Sequence, residues 1–364
     1  MKIKTITCHD VYNLGASLQA YALAEYLRKI GQEVEIIDYK PLYLQHYNLN
    51  KVNNPVYDKP VLRELYLLMK LPERLKDRRS KRKKEFDKFR ETFLPITNQT
   101  YCTNEELKRD VPEADIYFAG SDQIWNTLFK NGKDPAFYLD FAPSGSVRAS
   151  YAASFATEDI VEEEKINVKR RLEKMDYISV REKSGIAIVN QLGIKGAVQV
   201  LDPVFLLEQS KWIEMEKNSD FREPYLLVYD FEGNEKIQGF VIKKAKEENL
   251  KIYSILPCDY CDRCFNEEGP QMFISLIHYA EYIVSNSFHG TAFAIIFRKP
   301  FAVFDRSEKI NTRMHDLVKS MCLTNYTELK DYENVEKNIE KQIEDSKFYI
   351  DCVLQNMKGV NDES

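Results

Sequence analysis

Ile3-Lys4-Thr5-Ile6-Thr7-Cys8, then residues 17–30, then Glu33-Val34-Glu35-Ile36-Ile37-Asp38, form the stretch that decides the fold. The first run is β-rich and reads as a strand. Within 17–30 the apolar residues Leu18, Ala22, Leu23, Leu27 and Ile30 recur at helical spacing, and Gly31 stops the helix. Residues 33–38 form a second strand. A strand–helix–strand opening predicts a parallel sheet with a right-handed crossover.

Outward from there, residues 40–112 are less regular, rich in Tyr, Asn and charge, and read as a helical insertion. Strands resume at 115–119, 148–154, 177–180 and 197–201, each ending at a polar loop. A second series follows: strands at 225–229 and 251–256 around a charged helix near 234–249, a helix at 271–280, and strands at 282–285 and 301–304. Residues 311–321 form a helix with Met314, Leu317, Val318 and Met321 on one face. The pattern predicts an α/β protein of two doubly wound, Rossmann-like halves facing a cleft, the default ligand site. Residues 1–208 make the N-terminal half, with the insertion. Residues 209–364 make the C-terminal half, with its C-terminal helices.

Composition limits the function classes. The chain has 364 residues, 44% apolar and 30% charged, in the range of globular proteins. A net charge of -5 gives no general reason to expect nucleic acid. No apolar run approaches the roughly 20 residues of a spanning helix, and the N-terminus lacks a signal-peptide core. Seven cysteines, an odd number, read as reduced thiols, so a cytoplasmic location is expected. Cys258, Cys261 and Cys264 form a C-x₂-C-x₂-C run that lacks a second cysteine pair; free thiols are expected rather than a metal site. Residues 74–90 carry ten Lys or Arg. They form either a solvated helix face or a peripheral contact with an anionic membrane surface at its inner face.

The richest motif is Glu281-Tyr282-Ile283-Val284-Ser285-Asn286-Ser287-Phe288-His289-Gly290-Thr291. An apolar run ending in Asn, Ser, His, Gly and Thr reads as a strand emptying into the first turn of a helix. In an open α/β sheet that turn lies at the carboxyl edge, where free N–H groups and the helix dipole favour an anion. His289 there either caps the helix or moves a proton near neutral pH. Asn13-Leu14-Gly15-Ala16-Ser17 joins the first strand to the first helix; Ser17 reads as its N-cap, and the absence of G-x-G-x-x-G disfavours a nicotinamide cofactor. In Gly120-Ser121-Asp122-Gln123-Ile124-Trp125-Asn126, Asp122 is a helix cap or a ligand for sugar hydroxyls, and Trp125 a core residue or a sugar platform. Arg181 follows a strand and suits a carboxylate or phosphate, or an ion pair with a carboxylate such as Glu182. Lys309 and Arg313 place two cations at another carboxyl-edge loop.

Taken in order, the segments 13–20, 120–126, 180–185, Asp202-Pro203, 281–291 and 309–313 resemble the polysaccharide pyruvyl transferases over roughly residues 1–325. The resemblance implies a fold similar to the GT-B glycosyltransferases. It also implies transfer of pyruvate from phosphoenolpyruvate to two hydroxyls of a sugar, in a polysaccharide or lipid-linked precursor, with release of phosphate and no redox cofactor or metal. His289 is then the general acid/base. Arg181, Lys309 and Arg313, with Asn286, Ser287, Gly290 and Thr291, fall on the donor side, in the C-terminal half for all but Arg181. Asn13, Gly15 and Asp122 fall on the acceptor side, in the N-terminal half. Ser287 departs from the family pattern, which commonly has Arg two residues before the His. Two other classes remain open from the sequence: a nucleotide-sugar glycosyltransferase of the same fold, and a non-catalytic glycan-binding protein.

Overall fold

The architecture comes from a computed structural model that describes residues 1–48, 60–217, 220–306, 312–320, 328–329 and 332–361. The first sheet contains β1 (Lys2–Ile6), β2 (Glu33–Tyr39), β3 (Ile96–Tyr101), β4 (Ile116–Ala119) and β5 (Val147–Ser150), in the order β3-β2-β1-β4-β5. A short pair, β6 (Ser179–Val180) and β7 (Val198–Gln199), continues from β5 through bridges at Ala149–Tyr177 and Ala153–Val180. The second sheet contains β8 (Tyr225–Tyr229), β9 (Lys251–Ser254), β10 (Arg263–Cys264), β11 (Tyr282–Ser285) and β12 (Phe301–Val303), in the order β10-β9-β8-β11-β12. All the ladders are parallel. Strands covered by helices on both faces need apolar side chains on both, and β4, β8 and β11 are buried throughout.

The helices of the first half are α1 (Leu14–Lys29), α2 (Pro60–Arg78), α3 (Lys81–Phe93), α4 (Asn104–Arg109), α5 (Lys165–Leu172) and α6 (Lys183–Gln191). Those that follow are α7 (Gln209–Ile213), α8 (Glu235–Glu248), α9 (Pro270–Tyr279), α10 (Phe288–Ile296), α11 (Thr312–Ser320) and α12 (Glu333–Asn361). The direction in which successive strands are added reverses between β1 and β4 in one sheet and between β8 and β11 in the other. These two switch points place four strand ends and two helix N-termini beside each other.

Two features differ from the sequence expectation. Residues 40–112 are not wholly a helical insertion: β3 lies within them and completes the sheet edge. Its Thr97-Asn98-Gln99-Thr100 core is largely exposed, so it carries no apolar alternation to read. The last helix, expected to belong to the second half, reaches the first. The Tyr349 hydroxyl donates to Ser150 O at 2.8 Å, and Leu201 N donates to Ser346 Oγ at 2.9 Å. It also touches the second half, where Arg298 Nε sits 2.9 Å from Glu336.

Candidate active site

The facing strand ends enclose a cleft of about 130 Å³. Its walls come from the start of α1 (Asn13, Gly15), the loop after β4 (Asp122, Gln123), the end of β8 (Tyr229, Phe231) and the turn after β11 (Asn286 to His289), with Arg306 and Met314 beyond β12. Local chemistry fixes both helix starts. Asn13, not Ser17, caps α1, its Oδ1 accepting from Ala16 N at 3.1 Å, while Ser17 is buried inside the helix. Ser287 caps α10 by accepting from Gly290 N at 3.3 Å, which leaves the His289 side chain free of the capping role. Two helix N-termini therefore open onto one cleft, a setting that favours an anion.

His289 is held from two sides. Its Nε2 is buried without a hydrogen bond and lies 3.6 Å from Asp202 Oδ2. Its Nδ1 faces Gly15: a Cβ added there would sit 1.9 Å from Nδ1. Only glycine lets α1 approach the imidazole this closely. Asp202 is 1% exposed and also takes an ion pair from Arg181, which is 4% exposed. Burial opposes the charge on Asp202, but His289 and Arg181 outweigh it and hold the carboxyl well below the usual carboxylate range. Arg181 extends to Asp122 at 3.4 Å and stacks on the Phe288 ring at 4.7 Å. His289, Asp202, Arg181 and Asp122 thus form one continuous polar network, joining segments far apart in sequence.

Other residues singled out by the sequence fall into different places. Asn286 lines the cleft and ties the β8 loop: its Nδ2 donates to Asp230 Oδ1 at 2.6 Å and its Oδ1 accepts from Phe231 N at 3.0 Å. Thr291 is buried, its hydroxyl donating to Ser287 O at 3.1 Å. Gly290 packs against Ser285, leaving no room for a Cβ, 2.5 Å from Ser285 Oγ. Gly290, Thr291 and Arg181 do not line the cleft. Asp122 does, with a backbone φ of +69°, a left-handed conformation that Asp tolerates better than most residues. Trp125 belongs to the core: its indole N–H donates to Phe137 O at 2.9 Å and its ring stacks on Tyr138. Lys309 and the Arg313 side chain lie outside the described residues.

The sequence reading missed Asp202 as a partner of the histidine, and missed Tyr229, Phe231 and Arg306. Arg306 lines the cleft, stacks over the Phe231 ring at 4.9 Å and lies 3.5 Å from Glu232. It places a cation in the cleft of a chain that carries Ser287 where an Arg is common. Its signal was faint, a lone Arg after the apolar run Phe301 to Phe304. Among the described residues no three or more His, Cys, Asp or Glu side chains gather to hold a metal ion. Cys261 donates to Cys258 O at 3.2 Å in the turn that leads into β10, and Cys264 is exposed in that strand.

The family model for polysaccharide pyruvyl transferase matches residues 13–308, a span that includes both cleft-facing helix starts. The chain belongs to the polysaccharide pyruvyl transferase family. No curated protein matches it. Among solved structures it is similar to the S. aureus MnaA–UDP co-structure, with a TM-score of 0.51, 13% identity, and coverage of 96% of this chain and 89% of that one. It is also similar to the UDP-GlcNAc 2-epimerase of Methanocaldococcus jannaschii, with a TM-score of 0.50, 13% identity, and coverage of 93% and 92%. At this identity the likeness speaks to fold alone: this pyruvyl transferase family member has a parallel-sheet, GT-B-like architecture.

Proposed function

We propose that the protein transfers the pyruvyl group of phosphoenolpyruvate to two hydroxyls of one sugar, in a polysaccharide or lipid-linked precursor, forming a cyclic ketal and releasing phosphate. The observation that carries the reading is the meeting of His289, Arg306 and two helix N-termini in one cleft of a pyruvyl transferase family member.

The chemistry has a fixed balance. C3 of the enol gains a proton and becomes a methyl group, and C2 forms bonds to two sugar oxygens. The bond from C2 to the phosphate oxygen breaks, with its electron pair leaving on phosphate. Two hydroxyl protons are given up, one matching the proton taken by C3 and one the proton taken by phosphate. The reaction needs an acid poised near neutral pH, which suits imidazole. Asp202 beside Nε2 orients the ring, leaving Nδ1, on the Gly15 side, for proton transfer. The carboxylate and phosphate of the donor need cations and oriented N–H groups, roles for Arg306 and the α10 N-terminus. Lys309 and Arg313 stay as donor-side candidates on the family resemblance, as Asn13 and Asp122 do on the acceptor side. Arg181, closed off between two carboxylates, acts through Asp202 as a positioning residue.

The test is phosphate release on incubating the protein with phosphoenolpyruvate and a panel of lipid-linked or aryl galactosides, glucosides and mannosamine derivatives. Acceptor-dependent phosphate supports the reading. Release of nucleoside diphosphate from a nucleotide sugar, with none of phosphate, would replace it with glycosyl transfer.

A further inference from the structure

The α2–α3 elbow carries an unusual surface. On α2, Leu68 is 66% and Met69 73% exposed, and Leu71 and Leu75 are exposed as well. Leu68, Pro72, Leu75 and Arg79 succeed one another at helical spacing, as do Met69 and Lys76, so an apolar stripe runs into cations on one face. Between residues 70 and 84 there are nine Lys or Arg and two Asp or Glu, within a chain whose net charge is -5. The structure sorts these cations. Lys81 pairs with Glu268, Lys83 pairs with Asp87, and Arg82 donates to Tyr12 O at 2.9 Å. Lys76, Arg78, Arg79 and Lys84 make no ion pair among the described residues. No described helix is long and apolar enough to cross a membrane.

We propose that α2 and the first turn of α3 dock on the surface of an anionic lipid bilayer, with Leu68, Met69 and Leu75 entering the headgroup boundary and Lys76, Arg78, Arg79 and Lys84 meeting the lipid charge. Exposed apolar side chains beside unpaired cations are what an interfacial helix needs. The apolar stripe alone would equally suit another protein; the surplus of positive charge in an otherwise acidic chain selects a negative surface. The same elbow is tied to the cleft. Arg82 holds Tyr12, the residue before Asn13, and the Tyr12 hydroxyl donates to Asp87 of α3 at 2.9 Å. A protein docked this way presents its cleft close to the bilayer. The inference stands apart from the transfer reaction, because binding is measured without donor or acceptor.

The experiment is co-sedimentation of the full chain with phosphatidylcholine vesicles, with and without phosphatidylglycerol, at low and high salt. The protein should pellet with the anionic vesicles only, and less at high salt. Each cation near such a surface contributes about fivefold to partitioning. The variant Lys76→Gln/Arg78→Gln/Arg79→Gln/Lys84→Gln should therefore bind at least about tenfold more weakly. Leu68→Ser/Met69→Ser/Leu75→Ser should also lose at least about tenfold and keep its salt dependence. All seven side chains lie on the surface, and unchanged circular dichroism melts confirm that both variants fold. Equal pelleting with both vesicle types, or undiminished binding by both variants, overturns the proposal. So does self-association in sedimentation velocity that the Leu variant abolishes while wild type ignores vesicles, which would make the stripe an interface between copies of the chain.

Discussion

Substituting Gly15 by alanine is a small change with a sign that the structure reverses. In a helix, Gly→Ala ordinarily stabilises by about 0.5–1 kcal/mol, because the unfolded chain loses freedom. At Gly15 the new Cβ would lie 1.9 Å from His289 Nδ1 and 2.4 Å from its Cγ, so the imidazole or α1 must move. Overpacking of this kind costs about 1–3 kcal/mol, which outweighs the gain in propensity. A net destabilisation of roughly 0–2.5 kcal/mol follows from those two ranges. The effect on turnover should be larger, on the order of 10²-fold, since moving the proposed acid/base residue by an ångström would disrupt proton transfer. Two controls isolate the cause. Gly239 lies in α8 with nothing within 4 Å of an added Cβ, so Gly239→Ala should stabilise without touching activity. Gly15→Ala in a His289→Ala background should regain stability, because the ring that clashed is gone; the cycle should give a coupling of about 1–2 kcal/mol. Urea melts and turnover of the four variants supply the numbers. If Gly15→Ala melts at or above wild type and turns over normally, the imidazole does not sit where the mechanism requires it.

Three further expectations concern the same site. His289→Gln should fold cooperatively and lose roughly 10²-fold or more in turnover, measured by phosphate release. Asp202→Asn removes a carboxylate between two groups, leaving the Arg181 charge with Asp122, 3.4 Å away, as its ion-pair partner, and should cost up to about 3–5 kcal/mol; Asp202 has its carboxyl held low in the folded state, so the unfolded chain binds more protons as pH falls toward and below the usual carboxylate range. Wild-type stability from this group is therefore present above that range and lost progressively as pH falls from it toward the lower folded-state value, and acid unfolding of Asp202→Asn should show a flatter pH dependence. Arg306→Ala should weaken phosphoenolpyruvate binding in calorimetric titration more than it weakens acceptor binding, with Arg306→Lys recovering part of it; equal donor affinity in wild type and Ala variant removes Arg306 from the donor site.

The parts legible in the sequence were those written in local patterns. β8 and β11 are buried on both faces, so they appear as unbroken apolar runs with clear ends. The turn after β11 reads correctly because Asn, Ser and Gly announce a helix start there. β3 was hidden because an edge strand need not be apolar: Thr97 and Thr100 serve Asp38 through side-chain hydrogen bonds instead. The site was legible as a set of segments but not as a set of contacts. Glu182 suggested an ion pair for Arg181, yet the partners are Asp202 and Asp122, 21 and 59 positions away, and Glu182 instead accepts from Ser154, Phe155 and Ala156. The close approach of Gly15 to His289 joins the two halves of the chain, and no local pattern encodes it.

In the proposed reaction the cleft protonates the donor and joins its C2 to two oxygens of one sugar. The most direct measurement is mass and nuclear magnetic resonance analysis of the sugar after reaction with phosphoenolpyruvate in deuterated water. A product heavier by pyruvate less water, with one solvent deuterium in a new ketal methyl group and its formation lost in His289→Gln, is the predicted result. Unmodified sugars throughout the acceptor panel, alongside glycosyl transfer from a nucleotide sugar, would contradict it.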